Sequence, residues 1–326
     1  MTFLPPFSGS PQYLAFVAAL LFVGTVGAQV PVERANGEAA AELLRPEFQI
    51  GNTYRFVVRT ELKSQLPSGG PSEAVIEQQA RFDARVRVDG KKGIVLRGRT
   101  ERLDLRLQSG GRVLSYESLK PDDKSSVLGL HLQTMLNRSV DLTLSEKLKI
   151  HSAIEGGPES AVPPLEGIPT FGPEELQQII ALIPQGFPKG KVTVGQQWTS
   201  EGSRVIGDAG TVQFTMIYRF TGPINFEENR CLGIEFNGQV SGELPLPQEK
   251  TDPAAPVVTE EPSFAQVQSG RITGRIYFDP LDRMVRMIEQ SVDLLLTLPG
   301  GAGAAPQQIP VNEVSTLRLL HVVPTP

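Results

Sequence analysis

Apolar and polar residues alternate with a period of two over much of the chain, which predicts long β-strands with one buried face. In one such segment the apolar positions hold Phe82, Ala84, Val86 and Val88, with charged residues between them. The pattern recurs at Val212, Phe214, Met216, Tyr218 and Phe220, and we predict the last strand over Val314–Val323. Turn sequences separate the strands, so the chain is predicted to be mainly β, with a long antiparallel sheet.

The alternation changes phase once in the segment that returns from the first of these strands. Ile94 and Leu96 have one parity, whereas the three leucines between residues 103 and 107 have the other. Such a change requires an extra residue in the strand, a β-bulge, and glycine is common at bulges. We therefore predict a bulge at Gly98.

Two amphipathic segments with helical periodicity lie between the strand-rich regions. The first runs from Lys124 to about Arg138 after a pair of aspartates, and the second runs from Glu174 to Ile183 between two prolines. Proline and acidic residues are favoured in the first turn of a helix. We predict two short helices that pack on the sheet through apolar faces, which include Leu128 and Leu132 in the first and Ile179 and Ile180 in the second.

Two similar stretches open two strand-rich halves. Ile50-Gly51-Asn52-Thr53-Tyr54 precedes the first half, Val194-Gly195-Gln196-Gln197-Trp198 precedes the second, and each is followed by a β-hairpin. Two interpretations remain, a tandem repeat or two unrelated β-meanders that look alike. We predict an antiparallel β domain over residues 46–323, in which halves 46–145 and 190–323 are joined by a helical, Pro- and Gly-rich segment, 146–189. The pattern leaves open whether the halves form one sheet or two.

The N-terminus has the pattern of an export signal. An apolar run, Leu14–Val23, precedes small residues, and Val26 and Ala28 fit the −3 and −1 positions of a signal-peptidase site. The run is shorter than the roughly 20 residues that span a bilayer. We predict a signal peptide over 1–28, a flexible mature N-terminus over 29–45, and a periplasmic or extracellular protein. The alternative is an uncleaved anchor, because no Lys or Arg precedes the apolar run.

Composition narrows the classes of function. The chain has 31 Lys plus Arg and 36 Asp plus Glu, and a net charge of −5 argues against nucleic acid as a partner. A single cysteine, Cys231, excludes an intrachain disulfide framework and a Cys-rich metal site, and we interpret it as an unreactive strand residue. Three histidines and the absence of a G-x-S-x-G motif offer little for catalysis. We therefore expect a non-enzymatic protein with no catalytic residue, metal or cofactor.

These features together resemble a group of exported proteins. The openings Ile50–Tyr54 and Val194–Trp198, the D-P-x-x-R hairpin at Asp279–Arg283 and the helices set between β-meanders resemble uncharacterised bacterial envelope proteins. Their architecture is similar to the half-barrels of periplasmic lipoprotein and lipid carriers. The resemblance implies a curved, half-barrel-like sheet covered by helices. The chain departs from these carriers in its length and in lacking a lipobox cysteine, and no functional residue is carried over.

Two functions from different classes follow. In the first, the protein binds a lipid or another hydrophobic molecule beneath its helices, and the speculative lining residues are Leu128, Leu132, Ile179, Ile180 and Trp198. In the second, it is a structural or protein-interaction module of the cell envelope that binds a partner through exposed strand edges or through the Pro-rich loop from Leu244 to Pro262. A cavity under the helices would favour the first function, and a fully packed core would favour the second. An enzyme with a dispersed carboxylate pair has no motif in its favour.

The export signal makes the first testable prediction. Expression with export should yield a chain that begins at Gln29, as measured by intact mass and N-terminal sequencing. Ala28→Leu should block the cut because signal peptidase needs a small residue there, whereas Ala18→Leu, inside the apolar run, should leave it unchanged. A wild-type chain that retains Met1 would instead support the anchor.

Overall fold

The structure is a computed structural model, which describes residues 29–30, 41–66, 70–87, 92–136, 138–156, 171–206, 210–245, 264–299 and 305–325. The predicted signal segment Leu14–Val23, the predicted cut after Ala28 and most of the Pro-rich loop from Leu244 to Pro262 lie outside these residues. In the described part of the chain, no helix has the length and apolar character needed to cross a membrane.

Strands make up most of the described chain, together with three short helices. The strands are β1 Gln29–Val30, β2 Asn52–Leu66, β3 Gly70–Val86, β4 Ile94–Ser109, β5 Arg112–Glu117, β6 Ser139–Leu144, β7 Ile150–Gly156, β8 Gln197–Ile206, β9 Gly210–Phe226, β10 Asn229–Pro245, β11 Phe264–Asp279, β12 Met284–Leu298 and β13 Gln307–Pro324. The helices are α1 Pro121–Lys124, α2 Val127–Leu136 and α3 Pro173–Leu182. The predicted mainly β fold is confirmed.

The strands form one open antiparallel sheet in the order β7-β6-β4-β3-β2-β13-β12-β11-β10-β9-β8-β1, and β5 pairs with β4 beside this path. Its central pairing joins the last strand to the first long one: β13 pairs with β2 from Val311 opposite Ser64 to Pro324 opposite Asn52, with a one-residue shift between Leu319 and His321. The two predicted halves therefore belong to a single sheet.

One face of the sheet carries the core. We call it the inward face and define it by Phe56, Phe82, Phe220, Ile234, Val292 and Leu317, all of which are buried in one hydrophobic cluster. The opposite, outward face is polar. Because fully burying a large apolar side chain contributes about 1.5–3 kcal/mol, this cluster is the main source of stability.

The openings of the two halves have the same backbone geometry. Gly51 and Gly195 have φ angles of +83° and +85°, and each amide donates to a carbonyl of the next strand. The N–O distances are 2.9 Å from Gly51 to Ala84 and 2.8 Å from Gly195 to Phe220. A turn with a positive φ favours glycine, which explains the shared sequence. This equivalence favours a tandem repeat over a chance likeness.

The predicted bulge exists, but its predicted position at Gly98 is wrong. The register between β3 and β4 shifts between Gln79 and Ala80, which leaves Glu101 as the extra residue. Gly98 instead faces a core ring, because a Cβ atom added there would lie 2.6 Å from Cε1 of Phe82. Close packing, and not a bulge, therefore requires glycine at this position.

The first predicted helix begins later than expected, at Val127 as α2, and a separate short helix, α1, contains the two aspartates that precede the predicted start. α1 ends at Lys124 and α2 begins at Val127, because Ser126 caps the second helix: its Oγ accepts a hydrogen bond from the amide of Gly129 at 2.9 Å. The second predicted helix is confirmed as α3, displaced by one residue. The Glu175 carboxylate accepts a hydrogen bond from the amide of Gly172 at 2.7 Å and so closes its first turn.

Gly98→Ala should lower the free energy of unfolding by about 1–3 kcal/mol, because the added methyl group overpacks the core against Phe82. Urea denaturation followed by circular dichroism measures this loss. Gly190→Ala is the matched control, since no atom lies within 4 Å of its added Cβ, and its change should stay within about 0.5 kcal/mol. An unchanged stability of Gly98→Ala would show that the ring can shift without cost.

Candidate functional site

The five residues predicted to line a ligand site lie in two separate clusters. Ile179, Ile180 and Trp198 belong to the main core beneath α3. Leu132 belongs to a smaller cluster at the far end of β3 and β4, and Leu128 packs against it. Among the described residues these side chains do not surround one common cavity, and whether they contact a ligand remains a prediction.

The space between α3 and the sheet is small. A cavity of about 20 Å³ lies beside Leu182 and Gln185, and this volume is enough for about one water molecule. Its other walls come from strands of the second half and are formed by Met216, Tyr218, Phe236, Ile272, Ile276, Ile288 and Gln290. The described core beneath α3 is therefore closely packed.

Trp198 holds the chain that leaves α3. Its indole stacks on Tyr218 with ring centroids 5.9 Å apart, and its Nε1 donates to the carbonyl of Gly186 at 3.0 Å. Gly186 has a φ of +77°, and a Cβ there would lie 2.4 Å from the ring of Tyr218. Burial also raises the pKa of Tyr218. Trp198, the aromatic residue of the second opening stretch, thus holds the C-terminal end of α3 in place.

A chain of polar contacts holds the other end of α3. Gln78, on the inward face of β3, donates through Nε2 to Oγ1 of Thr100 at 2.7 Å. The Thr100 hydroxyl in turn donates to the carbonyl of Phe171 at 3.2 Å, just before the helix. Because both side chains are buried and satisfied, they anchor α3 without leaving an unpaired polar group.

Glu313 differs from Gln78 and Thr100 in how its burial on the inward face is compensated. It lies on β13 between Val292 of β12 and Leu62 of β2, and its side chain has 0% exposure. Neither carboxylate oxygen has a hydrogen-bond partner among the described residues. Burial raises the pKa of Glu313 well above its ordinary value, and the nearby Ser315 hydroxyl offsets only part of that rise. Burial therefore favours the protonated, uncharged form of this carboxyl group.

The two other buried carboxylates have arginine partners. Asp83 contacts Nε of Arg81 at 2.8 Å and also accepts from the Thr53 hydroxyl at 2.6 Å. Burial raises the pKa of Asp83, but these hydrogen bonds outweigh it and the pKa lies below its usual value. Asp279 contacts Arg286 at 2.9 Å and accepts amide hydrogen bonds in the predicted D-P-x-x-R turn. Both therefore have the compensation that Glu313 lacks.

The outward face of the first half carries a network of arginines around the bulge. The extra residue Glu101 accepts from Nε of Arg55 at 2.7 Å and lies 3.9 Å from Arg81 and 3.5 Å from Arg99. The hydrogen bond from Arg55 to Glu101 raises the pKa of Arg55. His321 Nε2 lies 2.7 Å from Nη1 of Arg55. These charges satisfy one another and form a structural network on the sheet.

The outward face of the second half contains a broad groove of about 890 Å³. Arg271 and Asp293 are its charged lining residues. Uncharged amide and hydroxyl groups form the rest of its polar surface, from Gln213, Thr215, Asn237, Gln239, Ser241, Gln268 and Ser269. The groove offers a partner both hydrogen-bonding groups and apolar surface, the latter from residues such as Ile217.

The residues considered for catalysis are not gathered into one site. Cys231 is buried, and burial, with a contribution from Asp279, raises its pKa to about 11, so the thiol stays protonated. Burial lowers the pKa of His131 in α2. Among the residues that the structure describes, no three His, Cys, Asp or Glu side chains are arranged to hold a metal ion.

Sequence reasoning missed Glu313, although its signal was present. Val311, Glu313, Ser315, Leu317 and Leu319 alternate with more exposed residues, so a glutamate occupies a core position of the strand. The predicted strand began at Val314 and excluded it. β13 begins seven residues earlier, at Gln307.

Comparisons with known proteins give structural likeness only. No protein-family model and no curated protein sequence matches the chain. The sheet resembles part of a chain in a structure of lipid–protein interactions in lipovitellin, with 12% identity and a TM-score of 0.44, over 86% of this chain and 26% of that one. This chain thus spans about a quarter of the lipovitellin chain.

Two further solved structures have weaker likeness. One is the COG4313 outer membrane channel from Pseudomonas putida F1, with 7% identity, 88% of this chain and 100% of that one covered, and a TM-score of 0.19. The other is OpdQ from Pseudomonas aeruginosa, with 8% identity, 84% and 98% covered, and a TM-score of 0.17. At these identities and TM-scores, none of the three structures assigns a function to this chain.

Glu313→Gln should stabilise the protein relative to wild type increasingly as the pH rises above about 4.3, the usual pKa of glutamate. The raised folded-state pKa means that the unfolded chain releases a proton that the folded chain keeps, so wild type loses up to about 1.4 kcal/mol per pH unit. The inward residues that face Glu313 from β12 and β2 carry no charge: Gln290, Val292, Thr60 and Leu62.

Urea denaturation of both proteins at pH 4 and pH 8 measures this difference. Glu228→Gln, at an exposed turn position, controls for the loss of a surface carboxylate. Parallel stability curves for wild type and Glu313→Gln would contradict the prediction, since they would mean that Glu313 titrates normally in the folded state.

Proposed function

We propose that this chain is an exported, non-enzymatic protein that binds a lipid or another hydrophobic molecule on the inward face of its sheet, beneath α3. The observation that carries the proposal is the position of this helix. α3 contacts β4 and β6 of the first half and the adjoining β7, while Leu182 at its end shares a small cavity with Tyr218 and Phe236 of the second half. A single short helix thus lies over the apolar surface of both halves.

The size of α3 supports a role as a movable cover. A ten-residue helix is about 15 Å long, whereas strands of 15–18 residues extend over about 50 Å. The helix therefore covers a small part of the inward face. Side-chain hydrogen bonds hold the chain next to each end, from Thr100 to the carbonyl of Phe171 and from Trp198 to that of Gly186.

The free energy needed to lift α3 off the sheet is comparable to the free energy gained by burying an acyl chain. α3 buries Leu176, Ile179, Ile180 and Leu182, and Ile183 follows directly; at about 2 kcal/mol each, releasing them costs roughly 10 kcal/mol. An acyl chain of about 14 methylene groups recovers a similar amount at about 0.8 kcal/mol per group. Because the described space beneath α3 holds only about one water, ligand entry requires the helix to move.

A second function, a protein-interaction module of the cell envelope, is favoured by two other features. β7 lies at the end of the sheet, and its residues from His151 to Gly156 are exposed. Such an edge can accept a strand from another protein. The close packing beneath α3 and the broad groove on the outward face agree with this alternative.

Native mass spectrometry of the exported protein tests the proposal. We expect excess mass that is lost on denaturation and recovered as lipid in the extract, because burial of hydrocarbon holds the ligand. Ile180→Ala should speed the exchange of this lipid, since it weakens the contact that keeps α3 closed, whereas Glu174→Ala at an exposed position should leave the exchange rate unchanged.

An unloaded mass would overturn the proposal if it persists after incubation with phosphatidylcholine vesicles and with a fatty alcohol. That result would leave the interaction module as the function to pursue. Lipid exchange at the same rate in wild type and Ile180→Ala would contradict the opening of α3, although not lipid binding itself.

A further inference from the structure

The described residues offset the cost of burying Glu313 only in part, through the nearby Ser315 hydroxyl. Leaving a buried polar group without a hydrogen bond costs about 1–3 kcal/mol, and an apolar residue of similar shape avoids this cost. The residues directly opposite Glu313 on the two neighbouring strands, Val292 and Leu62, are both apolar. A carboxyl group in this position is therefore explained by a partner that arrives from outside the sheet.

The adjacent set of paired residues on the inward face supplies further polar groups. Ser315 lies two residues beyond Glu313 on the same face of β13, opposite Gln290 of β12 and Thr60 of β2. Adjacent strands are about 4.8 Å apart and residues two apart on a strand are about 6.6 Å apart, so the four side chains form a compact patch. Ser315 and Thr60 are 2% and 5% exposed. We call these four residues the Glu313 patch.

Apolar side chains surround the Glu313 patch on the inward face. They include Leu294, Val311 and Leu317, all at most 5% exposed. A ligand on this face would lay its hydrocarbon part against these residues and bring any polar group to the patch. This arrangement, mostly apolar with a few polar groups that converge, is typical of sites for small hydrophobic ligands.

We propose that the Glu313 patch binds the uncharged, oxygen-bearing head group of a lipid, such as the hydroxyl of a fatty alcohol or the ester of an acylglycerol. The inference rests on the proposed function and names the class of its ligand. Hydroxyl, amide and protonated carboxyl groups each donate and accept hydrogen bonds, and this matches a head group that does the same.

Charged head groups fit the patch less well. A carboxylate or phosphate would lie beside a buried acid with no cation among the four patch residues to offset its charge. An ammonium group would have to ionise Glu313, and both ions would then lose their hydration in an apolar region. An uncharged head group avoids both costs, because it only replaces water as the hydrogen-bond partner.

Three ligands with the same hydrocarbon chain test the proposal on the full exported protein: hexadecanol, hexadecanoate and hexadecylammonium. Affinities are measured by native mass spectrometry and by the fluorescence of Trp198, the single tryptophan of the chain, which lies beside α3. We expect wild type to bind hexadecanol about tenfold more tightly than either charged ligand, the effect of about one lost hydrogen bond.

Two substitutions separate the role of the head group from folding. Glu313→Gln keeps an uncharged donor and acceptor and should keep the preference for hexadecanol. Glu313→Leu should fold, because it replaces an unpaired polar group by an apolar one, but it should lose the tenfold preference. Glu228→Leu makes the same change at an exposed turn and should behave as wild type.

The outcomes distinguish the inference from the proposed function. A wild-type protein that binds none of the three ligands would overturn both. A protein that binds them without a preference, or whose preference survives Glu313→Leu, would overturn the role of the patch and leave lipid binding in place. A preference for hexadecylammonium that is lost in Glu313→Gln would overturn the uncharged head group in favour of an ion pair.

Discussion

The need to cover one continuous apolar face governs this fold. The inward face runs from β6 across the β13–β2 pairing to β8, and most of its apolar side chains form one cluster with those of α3. An antiparallel sheet can leave one face in water, and here the outward face with its charges and amides does so. The position of α3, the orientation of Trp198 and the glycine at Gly98 all follow from the packing of the other face.

The polar residues on that apolar face differ in how their burial is compensated. Gln78 donates a hydrogen bond to Thr100, which donates to the carbonyl of Phe171 just before α3. The Trp198 indole donates to the carbonyl of Gly186 after α3, so these hydrogen bonds hold the chain on both sides of the helix. Glu313 fixes nothing in the described chain. Buried polar groups that have hydrogen-bond partners help to specify the fold. A buried polar group that lacks them, as Glu313 does, is a candidate for binding a ligand.

Sequence patterns predicted the sheet and the second helix well, because period-two alternation and proline signals depend on local residues. They misplaced the bulge, since the reason for Gly98 is a ring on the neighbouring strand. They also began the first helix at Lys124 instead of Val127, since the cap is Ser126 and not the aspartate pair before it. The start of β13 was not predicted, because Pro310 and the polar residues near it are not typical of a strand. Glu313 was missed with that start, because its burial depends on strands far away in sequence.

The pairing of β13 with β2 has a consequence for how the protein folds. Most neighbouring strands are sequential hairpins that form by closing short loops, but this pair joins residues such as Asn52 and Pro324 from opposite ends of the domain. Long-range pairing is slow, because a large loop must close before any contact forms. Until the last strand emerges during synthesis, β2 has an unpaired edge, so the nascent chain is exposed to aggregation at that stage.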